Sequence, residues 1–186
     1  MDATTNAAVK PWTADEFCRL PDGWRYEIDE GELVIMAPAG YRHGQIVTAV
    51  TAILHDFVKH NGLGQVLAGE PGVYLQRQPL ETLRAADVLF FSRERASRIS
   101  NKAGFPEVAP DLAVEVHLPY EPDMQRKVGQ YLTAGVQSVW VIDPTRRTLT
   151  QHRSGAQPAT IADSDAAVTD PALPGFSCPL RELLGD

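Results

Sequence analysis

The stretch PDLAVEVHLPYEPDMQRKVGQYLTAGVQSVWVIDP, residues 110–144, decides the fold. It contains an apolar run at Leu112–Val116, a helical pattern at Met124–Ala134 and a second apolar run at Val139–Ile142. A strand, a helix and a strand in this order predict one right-handed parallel crossover. The sequence therefore predicts an α/β protein.

Segments on the N-terminal side add to this unit. Residues 13–16 have the form of a helix capping box, and the turn Asp29-Glu30-Gly31 between two β-prone runs predicts an N-terminal β-hairpin. Apolar residues recur at intervals of three and four between residues 41 and 61, which predicts one long helix. Further β-prone segments are expected to extend the sheet, at residues 65–67, 73–75 and 87–91.

Length and composition predict one domain. The chain has 186 residues, of which 44% are hydrophobic, and this is enough for a single core. We expect a flexible tail at residues 1–10, a single domain at residues 11–186, and an irregular excursion at residues 154–171. The two cysteines have no metal-ligand spacing, and there is no signal peptide or long apolar run. A cytoplasmic location is expected.

The net charge of −7 limits the possible partners. An acidic surface repels a polyanion, so contact with DNA or RNA would need a local basic patch or bound cations.

Two carboxylates occupy strands that are otherwise apolar. Glu115 lies within Leu112–Val116, and Asp87 begins the apolar run Asp87–Phe91. A charge buried in an apolar strand is costly unless it is paired or holds a cation. Alternatively, Glu115 is a sheet-end glutamate paired with an arginine, and Asp87 is an ordinary strand-end aspartate.

One lysine and one histidine could accompany these carboxylates. On a helical wheel, Lys127 lies at the margin of the buried stripe, where its ammonium could approach Glu115. The alternative is a surface ion pair with Asp123. His43 faces inward in the first turn of the long helix, and it could instead be a hydrogen-bonded core histidine.

Together these residues suit metal-dependent phosphodiester hydrolysis. Carboxylates from adjacent strands can hold a hard divalent cation, and a nearby ammonium can stabilise charge on a phosphate. Asp87 and Glu115 are the expected metal ligands, Mg²⁺ is the expected metal with Mn²⁺ as a substitute, and Lys127 is the expected electrostatic group.

Four motifs follow one another along the chain. They are Ala86-Asp87-Val-Leu-Phe-Phe91, Pro110-Asp-Leu-Ala-Val-Glu115-Val, Asp123-x-x-x-Lys127-x-x-x-Tyr131 and Gly135-Val-x-x-x-Trp140-Val-Ile-Asp143-Pro144. Their order resembles the putative restriction endonuclease family of bacterial proteins, a branch of the PD-(D/E)XK nuclease superfamily. The resemblance extends to residues 26–34, His43 and residues 173–176.

The resemblance implies a restriction-endonuclease-like mixed β-sheet flanked by helices, to which the N-terminal β-hairpin is added. It also implies roles for individual residues. Asp87 is the aspartate of the PD element, Glu115 the acidic residue of the (D/E)XK element, and Lys127 the lysine displaced onto the following helix. His43 matches a family position at the start of the long helix.

The sequence departs from the family pattern in two places. Ala86 replaces a usual proline, and His117-Leu118 replaces a usual Leu-Ser. His117 is expected on the same strand face as Glu115. It could therefore be a further metal ligand, a group that positions water, or a sign that the site has moved away from hydrolysis. We include His43 and His117 as accessory site residues.

Two functions follow. The first is a magnesium-dependent endonuclease acting on nucleic acid, expected to be DNA, as a homodimer, because two sites cut both strands most simply. The second is a non-catalytic interaction protein that retains a nuclease fold, which the acidic surface and the altered EVHL segment favour. A zinc hydrolase using His43, His55 and His60 is disfavoured because the last two diverge on the helix.

Overall fold

The computed structural model describes residues 10–20, 25–117 and 123–186. Residues 1–9 of the predicted tail and Leu118 lie outside these ranges. Within them, five helices are present. They are α1 (Ala14–Phe17), α2 (Tyr41–His60), α3 (Arg93–Ser97), α4 (Met124–Thr133) and α5 (Leu180–Leu183).

The largest sheet is mixed and has six strands in the order β10-β9-β8-β7-β6-β3. Strands β7 and β8 run parallel, with Glu115 opposite Val141, and the other pairs are antiparallel. The predicted crossover is therefore confirmed as β7-α4-β8. The strands are β3 (Gly64–Ala68), β6 (Val88–Ser92), β7 (Leu112–Val116), β8 (Ser138–Asp143), β9 (Thr148–Arg153) and β10 (Ala159–Ile161).

The predicted hairpin belongs to a second sheet of four strands, in the order β2-β1-β5-β4. Ile28 of the hairpin pairs with Leu83. The sequence predicted a single sheet, but there are two: residues 73–75 join the sheet of the hairpin by pairing with residues 82–85, whereas residues 65–67 and 87–91 lie at the main sheet. The strands are β1 (Arg25–Asp29), β2 (Glu32–Met36), β4 (Gly72–Gln76) and β5 (Thr82–Ala85).

The C-terminal part is more regular than predicted. The expected excursion at residues 154–171 contains β10 and β11 (Ala167–Asp170), and β11 pairs with β12 (Leu173–Pro179). A buried carboxylate holds this part together, since Asp170 Oδ2 accepts hydrogen bonds from Ser138 Oγ at 2.7 Å and from Trp140 Nε1 at 2.8 Å. Asp170 lies 32 residues from Ser138 and 30 residues from Trp140 in the sequence. A pattern within residues 154–171 therefore does not predict β10 and β11.

The two long helices cover opposite faces of the main sheet. Helix α2 packs its apolar stripe on side chains such as Val88 and Phe90. Helix α4 packs on the alternate side chains Leu89, Phe91 and Ala113. This alternation is the two-residue period of a strand. Among the described residues, no helix has both the length and the apolar character needed to span a bilayer.

Candidate active site

One pocket of about 390 Å³ is lined by four of the five predicted site residues. It lies where the second sheet, the main sheet and helices α2 and α4 meet. The four residues are His43, Asp87, Glu115 and Lys127.

The strand register explains why the two carboxylates share this pocket. Asp87 precedes β6, and Val88 pairs with Val114 of the neighbouring strand β7. Residues two apart in a strand lie on the same face, so Asp87 shares the face of Leu89 and Glu115 shares the face of Ala113. Leu89 and Ala113 pack on the α4 side, and both carboxylates therefore point to that side of the sheet. Lys127 is on α4 itself, which covers that face.

Asp87 is buried and firmly oriented. Its Oδ2 accepts a hydrogen bond from the backbone N–H of Val116 at 2.7 Å. Its Oδ1 lies 3.1 Å from His43 Nε2. The first turn of α2 therefore brings His43 to the aspartate, and His43 is a buried histidine that faces the pocket.

Glu115 is buried and accepts hydrogen bonds from two residues of helix α4. Its Oε1 accepts hydrogen bonds from Tyr131 Oη at 2.9 Å and from Lys127 Nζ at 3.0 Å. Burial raises the pKa of Glu115 to about 8, and the charges of Asp87 and Glu27 add to this rise while Lys127 opposes it.

Lys127 places its ammonium between two carboxylates. Nζ lies 2.9 Å from Glu27 Oε1 and 3.0 Å from Glu115 Oε1, and it donates to the carbonyl of Ala85 at 2.9 Å. Burial opposes the charge, but the two carboxylates outweigh burial and raise the pKa of Lys127 above its usual value. The lysine is charged, and each of its three donors has a partner.

Glu27 is a site residue that the sequence did not reveal. It lies on β1, is buried, and accepts from Arg84 Nη1 and the Ala85 N–H, both at 2.9 Å. Burial opposes ionisation, but Lys127 and Arg84 outweigh burial and lower the pKa of Glu27. Strand β1 reads Arg-Tyr-Glu-Ile-Asp, in which three of the five residues are charged, so no local signal distinguished Glu27.

A second layer of charges surrounds this group. Asp29 Oδ2 lies 2.7 Å from Arg84 Nη2 and 3.2 Å from Arg126 Nε, and Asp29 Oδ1 accepts from Gln130 Nε2 at 2.6 Å. Arg126 and Gln130 belong to α4, whereas Arg84 belongs to β5. The second sheet is therefore held on α4 by ionic contacts next to the pocket.

The structure places His117 apart from the other four residues. It lines a neighbouring depression with Met124, Val141, Thr150 and His152. The depression lies on the sheet face of Glu115, because Val141, which lines it, pairs with Glu115, and Thr150 pairs with Val141. Its backbone N–H donates to the carbonyl of Ile142 at 2.8 Å.

In the part of the chain that the structure describes, no group of three or more His, Cys, Asp or Glu side chains could hold a metal ion. A zinc site made by His43, His55 and His60 therefore has no support. His43 is buried at the pocket, while His55 and His60 are exposed.

Comparison with known proteins identifies the family. The model of the Uma2 family, described as "Putative restriction endonuclease", matches residues 14–181, which is most of the chain. The chain belongs to this family. A search of curated proteins gave no match.

Among solved structures, the chain is similar to a putative nuclease of DUF820 from Anabaena variabilis, with 21% sequence identity and a TM-score of 0.77. The similarity covers 94% of this chain and 98% of the other. At this level of identity the similarity shows the fold, and it confirms the predicted nuclease-like α/β architecture. Membership of the restriction endonuclease family supports a nuclease function with a nucleic acid as substrate.

For a member of this family, the described residues of the pocket offer a hard cation a pair of carboxylates, Asp87 and Glu115, rather than a group of three protein ligands. Glu27, Asp87 and Glu115 are three buried carboxylates, and the charges of Asp87 and Glu27 help to raise the pKa of Glu115. A cation beside Asp87 and Glu115 would offset this excess of negative charge. Magnesium commonly binds through one or two carboxylates, with water and substrate oxygens as further ligands. The pair Asp87 and Glu115 fits that pattern.

Proposed function

We propose that the protein is a metal-dependent endonuclease that hydrolyses phosphodiester bonds of DNA. The observation that carries the proposal is the convergence of Asp87, Glu115 and Lys127 in one buried pocket of a restriction-endonuclease family fold. Asp87 and Glu115 would hold Mg²⁺, for which Mn²⁺ could substitute. When bound, the metal supplies a Lewis acid that polarises the scissile phosphate and lowers the pKa of a bound water.

The protein groups orient this centre. His43 and the Val116 N–H hold one oxygen each of Asp87, and Tyr131 holds Oε1 of Glu115. Preorganised ligands of this kind avoid rearrangement during the reaction. His117 would act only on a part of the substrate that reaches the neighbouring depression.

Lys127 is the group that would stabilise negative charge in the transition state. Its Nζ carries three hydrogen bonds in the free pocket, to Glu27, Glu115 and Ala85. A phosphate oxygen would have to replace Glu115 as one of these partners. Glu27 would keep the ammonium in place during that exchange, so we assign Glu27 a positioning role.

The test is cleavage of supercoiled and single-stranded DNA by wild type, Lys127→Ala, Asp87→Asn and Glu115→Gln. Each assay is run with Mg²⁺, Mn²⁺ or a chelator. We expect metal-dependent cleavage by wild type and a loss of at least about 100-fold in each variant, the size typical of removing one electrostatic group. Lys59→Ala and Asp56→Asn alter exposed residues outside the pocket lining and serve as matched controls.

Folding of the variants is checked by thermal melting. Normal cleavage by Lys127→Ala or Glu115→Gln would remove the assigned roles. If the wild type cuts neither substrate under any of these conditions, the proposal of a DNA endonuclease is rejected.

A non-catalytic interaction protein with the same fold is the second candidate. Two observations favour it: the net charge is −7, and each donor of Lys127 already has a partner. This candidate predicts that the pocket does not bind a divalent metal.

A metal titration separates the two candidates. We expect Mg²⁺ or Mn²⁺ to raise the melting temperature of wild type, because a ligand that binds only the folded state stabilises it. The same titration should leave the melting temperature of Asp87→Asn unchanged. Equal shifts in wild type and Asp87→Asn would place the metal elsewhere and favour the non-catalytic candidate.

A further inference from the structure

Three basic side chains, Arg25, Arg84 and Lys127, line the active-site pocket within the described residues. Two of them are committed to buried carboxylates. Arg84 contacts Glu27, and Lys127 contacts Glu27 and Glu115. Their side chains are 7% and 11% exposed, whereas that of Arg25 is 34% exposed. Arg25 is therefore the lining cation that solvent reaches most easily.

The pocket otherwise presents negative charge to an incoming substrate. Its lining includes Glu27, Asp29, Asp87 and Glu115. A phosphodiester is an anion, so it is repelled by these groups unless a cation at the mouth offsets them. A metal at Asp87 and Glu115 would supply charge deep in the pocket, but a cation is also needed where the backbone of the substrate enters.

Arg25 and Glu70 form an ion pair at the pocket, and both residues line it. Arg25 is the first residue of β1 in the second sheet. Glu70 follows β3 of the main sheet, in a turn where Gly69 has φ of 86° and Glu70 has φ of 61°. Gly72, two residues after Glu70, begins β4 of the second sheet, so the ion pair joins β1 to the segment that connects the two sheets.

The conformation of Glu70 is unusual for its residue type. A positive φ is uncommon for a residue other than glycine, and glycine adopts it at little cost. The turn therefore accepts glycine at position 70 without strain. The Glu70 carboxylate can be removed in this way while the backbone keeps its conformation.

We propose that Arg25 binds a backbone phosphate of the substrate at the pocket mouth and that Glu70 competes with this phosphate for the guanidinium. The inference rests on the proposed function and names a further binding residue for it. The planar guanidinium matches phosphate as well as carboxylate in a two-point geometry. In the free protein the Glu70 carboxylate therefore occupies the place at the guanidinium that the phosphate would take, and the substrate phosphate displaces this carboxylate.

This exchange predicts opposite effects of substitutions on the two partners. Loss of Arg25 removes a phosphate contact, whereas loss of the Glu70 charge frees Arg25 for the phosphate. A purely structural ion pair predicts the same sign for both substitutions, since either one breaks the pair.

The experiment measures binding of a fluorescent oligonucleotide, single-stranded and duplex, by anisotropy. Chelator and Ca²⁺ are used in separate series, and the salt concentration is varied. The proteins are wild type, Arg25→Ala, Glu70→Gln and Glu70→Gly, each checked by thermal melting. A remote ion pair between Arg181 and Asp165 provides matched controls, Arg181→Ala and Asp165→Asn.

We expect Arg25→Ala to weaken binding about tenfold, the effect of losing one charge-assisted hydrogen bond. The slope of the logarithm of affinity against the logarithm of salt concentration should decrease by about one, because one fewer counterion is released on binding. Glu70→Gln and Glu70→Gly should both tighten binding several-fold, and Glu70→Gly should melt no lower than wild type. The two control variants should bind as wild type does.

Two results overturn the inference in distinguishable ways. If Arg25→Ala and Glu70→Gln change affinity in the same direction, or neither differs from the controls, Arg25 is not the phosphate-binding residue, while wild-type cleavage leaves the proposed function intact. If wild type neither binds nor cuts nucleic acid in any series, the inference and the proposed function are both rejected.

Discussion

Each ionic side chain at the centre of the pocket depends on the others for its charged state. Glu27 and Lys127 are both buried, and each shifts the pKa of the other toward the charged form. For Glu115, burial and the repulsion from Asp87 and Glu27 together outweigh the attraction of Lys127, so the pKa of Glu115 is raised. The site is therefore most sensitive to the removal of a group that serves two partners, and Glu27 is such a group.

Replacing Glu27 with glutamine should destabilise the protein by roughly 3–5 kcal/mol, the cost of leaving one side of a buried ion pair without its partner. Lys127 and Arg84 would both lose a negative charge at 2.9 Å. Urea unfolding of Glu27→Gln measures this cost, with the exposed Glu107→Gln as the control. A cost within about 0.5 kcal/mol, the size expected of a surface substitution, would contradict the assigned role.

Of the site, the residues with a local signal were predictable. Asp87 and Glu115 interrupt apolar strands, and Lys127 lies at the margin of an amphipathic helix. Glu27 was missed because its partners Arg84 and Lys127 lie far away in the chain, with Arg84 at a separation of 57 residues. The periodicity of a sequence indicates which residues of one helix or strand are buried. It does not indicate which charged residue of another helix or strand pairs with them.

The elements differ in how far a sequence pattern reveals them. Strand β7, helix α4 and strand β8 were predicted to within about one residue, because long apolar runs and a clear helical stripe report burial directly. Strand β5 was missed. Its sequence Thr-Leu-Arg-Ala contains a buried arginine, which is compatible with a strand only because Glu27 and Asp29 neutralise it.

Two glycines show how an element depends on close backbone contact. A Cβ at Gly64, the first residue of β3, would lie 2.0 Å from the carbonyl oxygen of Phe91 on β6. A Cβ at Gly129 of α4 would meet nothing within 4 Å. The same substitution should therefore have opposite effects in the two elements.

Gly64→Ala should destabilise the protein by about 3 kcal/mol or more, because the β3–β6 pair must separate to admit the methyl group. Gly129→Ala should stabilise it by about 1 kcal/mol, since alanine favours a helix interior over glycine. Denaturant unfolding of the two variants measures both values. A stability loss in Gly129→Ala as large as that in Gly64→Ala would show that α4 does not tolerate added volume there.

At the scale of the whole molecule, the pocket is formed where the second sheet contacts α4 beside the main sheet. The contacts involve charged groups: Arg84 Nε of the second sheet donates a hydrogen bond to Gln130 Oε1 of α4 at 2.9 Å, and Asp29 forms an ion pair with Arg126. Asp29 and Gln130 are 101 residues apart, so this arrangement is a property of the folded chain and not of any segment. The expected homodimer stays a prediction that a mass measurement in solution would test.

Because this junction uses carboxylates, its strength should depend on pH. Burial opposes the ionisation of Asp29, but the hydrogen bond from Gln130 and the charges of Arg84 and Arg126 outweigh burial and lower the pKa of Asp29 below 3.8. A carboxylate whose pKa is lower in the folded state stabilises the fold above its unfolded pKa. That contribution is lost as the pH falls through the folded pKa.

Asp29→Asn should therefore be less stable than wild type by about 1–2 kcal/mol at pH 6, the size of a hydrogen bond to a charged group. The difference should shrink as the pH falls below about 4, where the aspartate of the unfolded wild type becomes protonated. Urea unfolding of both proteins at pH 6 and pH 3 measures the two differences, with the exposed Asp56→Asn as the control. A difference that stays constant between these pH values would mean that Asp29 contributes through its shape and hydrogen bonds alone, and that the charge of Asp29 does not join the sheets.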